Sequence, residues 1–327
     1  MQKRELVSLL NSTGHELEEL CAFANHRRSE CFGNKVIIRG LIELTNICRV
    51  NCDYCPMRRD NTSSNSRFFL SKAEILSAAT DVCQAGITIV FLQAGETSMT
   101  TSQVADVIPA IKALFRGRVE VLLCLGCKSE GELKRLRELG ASSYILKFET
   151  SNPQLHQSIR AEAFTKRLRC IEILLNLGFR VGVGSIVGLP GQTTEDLADD
   201  LLLAKSLGVH MVSGSPFVPA PHTPLADAPP GSVERALAYI AVARSLNPHW
   251  LIPSVSAFEH LTSGGQMRAI RAGANVLTVN FTPPTERDKY PIYGHNRFIV
   301  GLNYARQLIA HAESEETSST LIEKDAL

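Results

Sequence analysis

The chain of 327 residues lacks the features of an exported or membrane-embedded protein. It contains no run of about eighteen apolar residues, and no apolar stretch near the N-terminus could serve as a signal peptide. The formal net charge is only +1, which is too small to recruit nucleic acid or an anionic membrane. We therefore expect a cytoplasmic protein that acts on a small-molecule or protein substrate, with no nucleic-acid partner and no membrane partner.

The cysteines do not form the pattern of a disulfide framework. Nine of them are spread unevenly along the chain, and an odd count at irregular spacing is typical of a protein whose thiols stay reduced. In a reducing compartment these thiols are free to bind metal. Three of the nine fall within eight residues, in the stretch NICRVNCDYCPMRRD at 46–60.

Short apolar runs alternate with amphipathic segments along most of the chain. About 30 residues separate one run from the next, which predicts an α/β protein with a (β/α)8 TIM-type barrel. We expect N-terminal helices over 1–35, the barrel over 36–313 and a flexible polar tail over 314–327. The eight predicted strands are 36–44, 87–93, 119–125, 143–148, 179–187, 209–214, 250–255 and 275–279.

Uncommon residues cluster where these predicted strands end. Because the strand-to-helix loops of such a barrel share one face, side chains at the strand ends should meet at its mouth. From the first strand to the eighth these residues are Cys48, then Gly95 and Glu96, Cys124 and Cys127, Glu149, Ile186 and Val187, His222, Ser254 and Ser256, and Asn280.

The spacing CxxxCxxC of Cys48, Cys52 and Cys55 favours an iron–sulfur cluster. A structural zinc site usually has four protein ligands, and no fourth cysteine or histidine lies nearby in the sequence. Three thiolates suit a cluster that leaves one iron open to a ligand from outside the protein. Zinc or free thiols are the alternatives.

The cysteine loop resembles the hallmark of the radical S-adenosylmethionine superfamily, which also has an aromatic residue, here Tyr54, before the last cysteine. The resemblance implies that Cys48, Cys52 and Cys55 hold a [4Fe-4S] cluster whose open iron binds S-adenosylmethionine (SAM). Reduction of that sulfonium then yields a 5′-deoxyadenosyl radical. The stretch QAGE at 93–96 is similar to a family element in which Gly95 admits backbone and Glu96 contacts the methionine amino group.

Other stretches narrow the resemblance to the group of biotin synthase, methylornithine synthase, the hydrogenase maturation radical enzyme and the two-protein lipoyl synthases. They include KFETSNPQLHQSIR at 147–160, SIVGLPGQTTED at 185–196 and GANVLTVNFTP at 273–283. The match implies that Glu149 and Arg167 clamp the two ends of the methionine group. It also implies that Ile186 and Val187 contact the adenine side.

The sequence leaves the role of the motif CLGC at 124–127 open. Cys124 and Cys127 could hold a second iron–sulfur cluster, form a redox or thiyl pair, or be small buried residues. Biotin synthase carries cysteines of a second cluster on inner strands, and the positions that align with two of them here are Leu122 and Gly182.

Because of the extra CxxC, we expect sulfur insertion of the lipoyl- or biotin-synthase type on a small or carrier-bound substrate. Hydrogenase-maturation-like chemistry and a methylornithine-synthase-like rearrangement are alternatives, and a cluster- or SAM-binding scaffold without turnover is a non-enzyme alternative. His222, Ser254, Ser256 and Asn280 are the candidate substrate contacts. Expected partners are an electron donor such as ferredoxin or flavodoxin and a sister radical SAM protein.

Overall fold

The computed structural model describes residues 1–62, 67–294 and 297–318. Parallel strands form the inner layer and helices surround them. The strands are β1 Lys35–Thr45, β2 Ile89–Ala94, β3 Glu120–Cys124, β4 Ala141–Ile145, β5 Arg180–Val187, β6 Met211–Pro216, β7 Val276–Asn280 and β8 Glu315–Thr317. The helices are α1 Lys3–Leu10, α2 Gly14–Phe32, α3 Lys72–Gln84, α4 Met99–Leu114, α5 Glu130–Glu138, α6 Pro153–Arg160, α7 Phe164–Asn176, α8 Thr194–Ser206, α9 Val233–Leu246, α10 Ser256–Leu261, α11 Gly265–Arg271, α12 Pro284–Arg287 and α13 Leu302–His311.

The strands close into a ring, so the expected TIM-type barrel is confirmed. They follow the order β6-β5-β4-β3-β2-β1-β7 with parallel pairing throughout. Between β6 and β7 the ring is completed by bridges from Leu251 to Met211 and from Pro253 to Val276. The seventh predicted strand, 250–255, is therefore reduced to two bridges, because Pro253 has no amide hydrogen to extend a ladder.

Serine and threonine side chains begin several of the outer helices. The side-chain hydroxyls of Ser71, Ser129 and Thr193 each accept a hydrogen bond from the third amide of the helix. The acidic side chain at that third position in turn accepts a hydrogen bond from the backbone amide of the serine or threonine. Such capping boxes satisfy amides that have no partner inside the helix, so they define where α3, α5 and α8 begin. The helices therefore start a few residues after each strand, and the connecting loops line the barrel mouth.

Side-chain alternation along the strands separates two apolar layers. On β3, Val121 and Leu123 face the helices, whereas Leu122 and Cys124 face the barrel interior. At the amino ends of the strands the interior is filled by apolar side chains that include Phe32 from the end of α2. The interior space is consequently available at the carboxyl ends, where the chemistry-bearing loops lie.

The start of the predicted polar tail pairs with the barrel. Residues 315–317 lie parallel to the beginning of β1, with Lys35 opposite Glu315 and Ile37 opposite Thr317. The expectation of a flexible segment is thus wrong for these three residues, because the exposed edge of β1 offers amides and carbonyls that local polarity does not reveal. Residues 319–327 lie outside the described part of the chain. No described helix is long and apolar enough to cross a membrane.

Candidate active site at the barrel mouth

The loop that follows β1 is folded back on itself by its own polar side chains. Arg58 donates to Asn51 Oδ1 at 2.8 Å and to Asp53 Oδ1 at 3.0 Å, and the Cys55 amide bonds to the Cys52 carbonyl. This bracing brings Cys48, Cys52 and Cys55 to the wall of a cavity of about 210 Å³. The three predicted metal-ligating cysteines therefore line one space, although no three His, Cys, Asp or Glu side chains of the described residues are grouped closely enough to hold a single metal ion.

Gly95 lets the cysteine loop approach the end of β2. A Cβ at this position would lie 2.8 Å from the Ile47 carbonyl carbon and 3.0 Å from Cys48 Cβ, closer than side chains can pack. The next amide, that of Glu96, donates to Cys48 Sγ at 3.3 Å, and the Glu96 carbonyl accepts from the Arg49 amide. Gly95 thus acts through close backbone approach, as the sequence predicts.

Burial keeps the three thiols protonated unless a cation is close. It raises the pKa of Cys52 to about 11 and raises the pKa values of Cys48 and Cys55 as well, while Arg160 opposes the shift at each of them. Thiolates are the form that binds metal, and bound metal ions deprotonate a coordinating thiol outright. The chemistry of this donor set therefore fits a positively charged iron–sulfur cluster.

Glu96 lies in a network of three arginines, of which sequence analysis singled out only Arg167. Its carboxylate accepts from Arg49 at 2.6 Å and from the Cys127 amide at 3.1 Å, and Arg160 and Arg167 lie at 3.9 and 3.7 Å. Burial raises the pKa of Glu96, although the Cys127 amide and the arginines lower it. Because these donors occupy its oxygens, Glu96 is less available to an amino group than predicted.

The glycine of the CLGC motif faces the same carboxylate. Gly126 has a φ of +76°, and a Cβ there would lie 2.5 Å from Glu96 Cδ. Any larger residue would displace Glu96 as well as strain the backbone. The motif therefore has a structural requirement at its third position that is independent of its cysteines.

Glu149 is held in a rare backbone conformation with its carboxylate turned into the cavity. Its φ is +68°, its amide donates to the Gly184 carbonyl and its carbonyl accepts from the Ile186 amide, both at 2.9 Å. Non-glycine residues adopt this conformation at a cost that surrounding structure must offset. Among the described residues, Glu149 Oε2 is buried without a hydrogen-bond partner.

The unpaired atoms around the cavity match a zwitterion. Arg167 is buried on α7, and its Nε and Nη2 also have no hydrogen-bond partner within the described residues. An ammonium would satisfy Glu149, and a carboxylate would satisfy Arg167, so the pair fits the amino-acid end of SAM. Both residues line the cavity that holds the three cysteines.

The remaining predicted cofactor contacts lie in two different environments. The Tyr54 hydroxyl accepts from Arg160 Nη1 at 3.0 Å, and Ile186 lines the cavity. Val187 instead packs in the outer core, and its carbonyl accepts from the Phe217 amide. Since neighbouring strand residues face opposite sides, Ile186 and Val187 cannot both turn a side chain to the same ligand.

A second cavity of about 150 Å³ lies deeper in the barrel and adjoins the first. Gln93, Cys124, Lys147 and Tyr293 line both. The deeper cavity is also lined by three charged residues, Arg39, Glu43 and Arg297. A molecule in this space would therefore be next to whatever occupies the cysteine-lined cavity.

The deeper cavity carries an excess of positive charge. Glu43 is neutralised by two contacts from Arg297, at 2.5 and 2.6 Å, whereas Arg39 bonds to the neutral Thr278 hydroxyl and lies over the Phe91 ring. Burial alone lowers the pKa of Lys147, but Glu149, Tyr293 and Cys124 raise it above its ordinary value. Arg39 and Lys147 are thus the cations available to a ligand.

The two cysteines of CLGC are in separate surroundings. Cys124 lies in the barrel interior, where burial raises its pKa to about 11. Cys127 packs in the outer core and is hydrogen-bonded to the Cys170 thiol, which raises the Cys127 pKa. The thiols of the motif therefore do not converge on one space, and a second cluster held by both would require the loop to rearrange.

The predicted substrate contacts divide in the same way. Ser256 and Asn280 line the deeper cavity. Ser254 also lines it, but its hydroxyl is occupied by the Gln266 carbonyl. His222 is exposed and lines neither cavity. Sequence analysis missed Arg39 and Lys147, although a charged residue at an inward position of a buried strand is a detectable signal.

Comparison with known proteins identifies the family of the chain. The Radical SAM superfamily model matches residues 42–204. The [FeFe] hydrogenase maturase subunit HydE of Thermotoga maritima is 39% identical over 278 residues, which cover 84% of this chain and 79% of HydE. Biotin synthase of Streptomyces avermitilis is 28% identical over 251 residues, covering 75% of this chain and 64% of the synthase.

Solved structures share the fold. Methylornithine synthase (PylB) superposes with a TM-score of 0.86 at 23% identity, covering 100% of this chain and 96% of PylB. The maturase HydG from Carboxydothermus hydrogenoformans gives 0.83 at 22% identity, covering 99% and 78%. Sequence identities this low show only that the fold is shared. With a 39% identical relative along most of its length and a family match that begins in β1 and includes the cysteine loop, the chain belongs to the radical SAM superfamily.

Proposed function

We propose that this radical SAM enzyme generates a 5′-deoxyadenosyl radical and directs it at a small anionic substrate bound in the deeper barrel cavity. The observation that carries the proposal is the contact between the two cavities. One holds the cysteines, together with Glu149 and Arg167, whose buried polar atoms lack hydrogen bonds within the described residues. The other holds Arg39 and Lys147, for which no carboxylate within the described residues forms an ion pair.

The superfamily uses a [4Fe-4S] cluster and SAM, which together supply a reductively generated primary carbon radical. Cys48, Cys52 and Cys55 would hold the cluster. Glu149 would accept the methionine ammonium and Arg167 would donate to its carboxylate. Ile186 and the barrel wall would exclude water from the reacting atoms, which keeps the radical from side reactions.

The charge of the deeper cavity supports an anionic substrate. Arg39 and Lys147 approach the interior from β1 and from the residues after β4, while Glu43 is already paired with Arg297. A carboxylate or similar anion would satisfy both cations, since buried charges are stable only when paired. Ser256 and Asn280 add neutral hydrogen-bonding groups to the same wall.

For the reaction itself we favour hydrogenase-maturase-type chemistry over sulfur insertion. The support is the 39% identity to a [FeFe] hydrogenase maturase subunit across 79% of that protein. Sulfur insertion rested on a second cluster at the CLGC motif, and Cys124 and Cys127 lie in different layers. An electron donor of the ferredoxin or flavodoxin class would reduce the cluster in either case.

Two assays test the proposal at two levels. Reconstituted protein supplied with dithionite and SAM should form 5′-deoxyadenosine, and the triple Cys48, Cys52, Cys55→Ala variant should form none. The chain should also replace the Thermotoga maritima HydE in a hydrogenase maturation mixture and yield active hydrogenase. Cleavage of SAM without hydrogenase maturation would leave radical generation standing and remove the maturase assignment.

A further inference from the structure

Cys124 occupies the boundary between the two cavities. It is the last residue of β3, its side chain faces inward beside Leu122 and Ile145, and it lines both the cysteine-lined cavity and the deeper one. Among the described cysteines, the other three that line either cavity are the predicted cluster ligands. A thiol therefore lies where the two cavities meet.

The other thiols near the barrel mouth are not placed for such a role. Cys127 and Cys170 are hydrogen-bonded to each other in the outer core, and Cys83 packs outside the barrel on α3. Their apolar surroundings make them structural residues. Cys124 differs because cavity space lies on both sides of it.

The interior also keeps Cys124 in the form that carries a hydrogen atom. Its packing neighbours Leu122 and Ile145 are apolar. Burial raises the pKa of Cys124 to about 11 although the nearby cations Lys147 and Arg39 oppose the shift, so the thiol stays protonated at neutral pH. A neutral S–H bond is weaker than an alkyl C–H bond, so a primary carbon radical takes its hydrogen readily. The sulfur radical that remains is selective, because it abstracts hydrogen only from weakened C–H bonds.

From this geometry we propose that Cys124 is a catalytic hydrogen-atom relay, which passes radical character from the SAM-derived radical to the substrate. In the first step the Cys124 S–H bond breaks, a C–H bond forms at C5′ of the 5′-deoxyadenosyl radical, and a thiyl radical remains. In the second step a substrate C–H bond breaks, the S–H bond forms again, and the substrate carries the radical. Each step moves one proton with one electron, and the thiol is regenerated without another reagent.

The relay also restricts the substrate. A thiyl radical removes hydrogen from carbon that adjoins nitrogen, oxygen or sulfur, where the product radical is stabilised. The cations Arg39 and Lys147 select an anion. We therefore infer that the substrate is a small carboxylate or comparable anion with its reacting C–H bond next to a heteroatom, which deepens the proposed function and rests on it.

The test uses the source of the hydrogen transferred to C5′ and needs no substrate. Reconstituted enzyme is exchanged into D₂O, so that the Cys124 thiol carries deuterium, and is given unlabelled SAM and dithionite. Mass spectrometry then measures deuterium at C5′ of the 5′-deoxyadenosine formed. We expect deuterium in the wild-type product, its loss in Cys124→Ser and Cys124→Ala, and its retention in the matched control Cys83→Ser.

Each outcome bears on the relay separately from the proposed function. Absence of any 5′-deoxyadenosine from the wild type would contradict radical generation itself, whereas product without deuterium would overturn the relay alone. Deuterium that persists in both Cys124 variants, or that disappears instead in Tyr293→Phe, would assign the hydrogen to another donor. Loss of SAM cleavage in Cys124 variants that retain iron would also contradict the relay, because the relay acts after cleavage.

Discussion

At the scale of single residues, the cavity is organised by unpaired groups rather than by a charge excess in the whole chain. The net charge is +1, yet Glu149 and Arg167 each leave buried polar atoms without a hydrogen-bond partner among the described residues. Buried polar groups are nearly always satisfied, so such orphans mark the place where a ligand belongs. Their opposite signs specify a zwitterion more sharply than the sequence motifs do.

The proposed cluster ligands give the simplest residue-level prediction. Cys52→Ala removes one thiolate from the cavity, so the protein should lose cluster iron and form no 5′-deoxyadenosine, while its helical circular dichroism stays unchanged. The comparison is Cys83→Ser, whose thiol is outside the cavity. Wild-type iron content and turnover in Cys52→Ala would contradict the assignment of the cluster to this loop.

The charge of Glu149 should be required for SAM binding. Glu149→Gln keeps the shape and the backbone conformation but removes the negative charge, so the affinity for SAM should fall on the order of 10- to 100-fold. Equilibrium dialysis with labelled SAM on unreduced, cluster-containing protein measures this directly. Glu130→Gln, at an exposed position on α5, is the control, and equal affinities in the two variants would rule out Glu149 as the ammonium acceptor.

At the scale of elements, close backbone approach holds the catalytic loops together. The cysteine loop touches the end of β2 at Gly95, and the loop after β3 touches Glu96 at Gly126. The β4–α6 loop carries Glu149, whose backbone amide and carbonyl are both hydrogen-bonded to β5. The ends of β1, β2 and β3 thereby fix each other, and the loop after β4 is fixed to β5, which preorganises the site before any ligand binds.

Two glycine substitutions should separate this loop contact from general glycine effects. Gly95→Ala places a methyl group against the Ile47 carbonyl, so it should weaken cluster incorporation and lower the melting temperature. Gly131→Ala on α5 meets nothing within 4 Å and should be neutral or stabilise the fold by about 0.5–1 kcal/mol. Measurements of iron content and thermal unfolding on both variants test the role of close approach. Wild-type cluster loading in Gly95→Ala would contradict it.

At the scale of the whole molecule, a buried carboxyl behind the barrel links the active-site loop to overall stability. Asp200 on α8 is fully buried, its Oδ1 accepts from the Ser151 amide at 2.5 Å, and its Oδ2 has no partner within the described residues. Burial raises the pKa of Asp200 from 3.8 to about 7, although the bonds from Ser151 and Ser185 oppose the shift. Ionisation of Asp200 is therefore unfavourable in the folded protein.

The raised pKa sets the sign of a pH effect on stability. Below about pH 4, Asp200 is protonated in both the folded and the unfolded protein, so it has no effect on the free energy of unfolding. Between about pH 4 and 7 it ionises in the unfolded chain but stays protonated in the folded protein. The free energy of unfolding therefore falls as the pH rises through this range. The free energy of unfolding of Asp200→Asn minus that of wild type should therefore increase over this window, by up to about 4 kcal/mol. Urea unfolding at several pH values measures it.

The exposed Asp106 on α4 supplies the control for this measurement. Its side chain is exposed, so its change to Asn repeats the chemical substitution without changing a buried carboxyl, and it should not reproduce the pH-dependent increase expected for Asp200→Asn. A constant difference for Asp200→Asn would mean that Asp200 is ionised in the folded protein throughout, and that its burial is offset by partners beyond Ser151 and Ser185.

The sequence by itself determined the barrel and singled out the cysteine loop as the predicted cluster site, because both are encoded locally. Strand runs, capping residues and the spacing of Cys48, Cys52 and Cys55 need no long-range information. The same local rules placed Gly95 and Glu149 at strand ends and hence at the mouth. They could not separate Ile186 from Val187, or Cys124 from Cys127, because which of two neighbouring residues faces the interior depends on the strand's register in the ring.

Only the tertiary structure decided which charges are free. Arg160 and Arg49 belong to the Glu96 network, Glu43 is neutralised by Arg297 from a distant segment, and Arg39 and Lys147 remain available to a ligand. These pairings join residues up to 254 positions apart. Local sequence carries no record of such partners, since charge compensation depends on distance and burial in the folded chain.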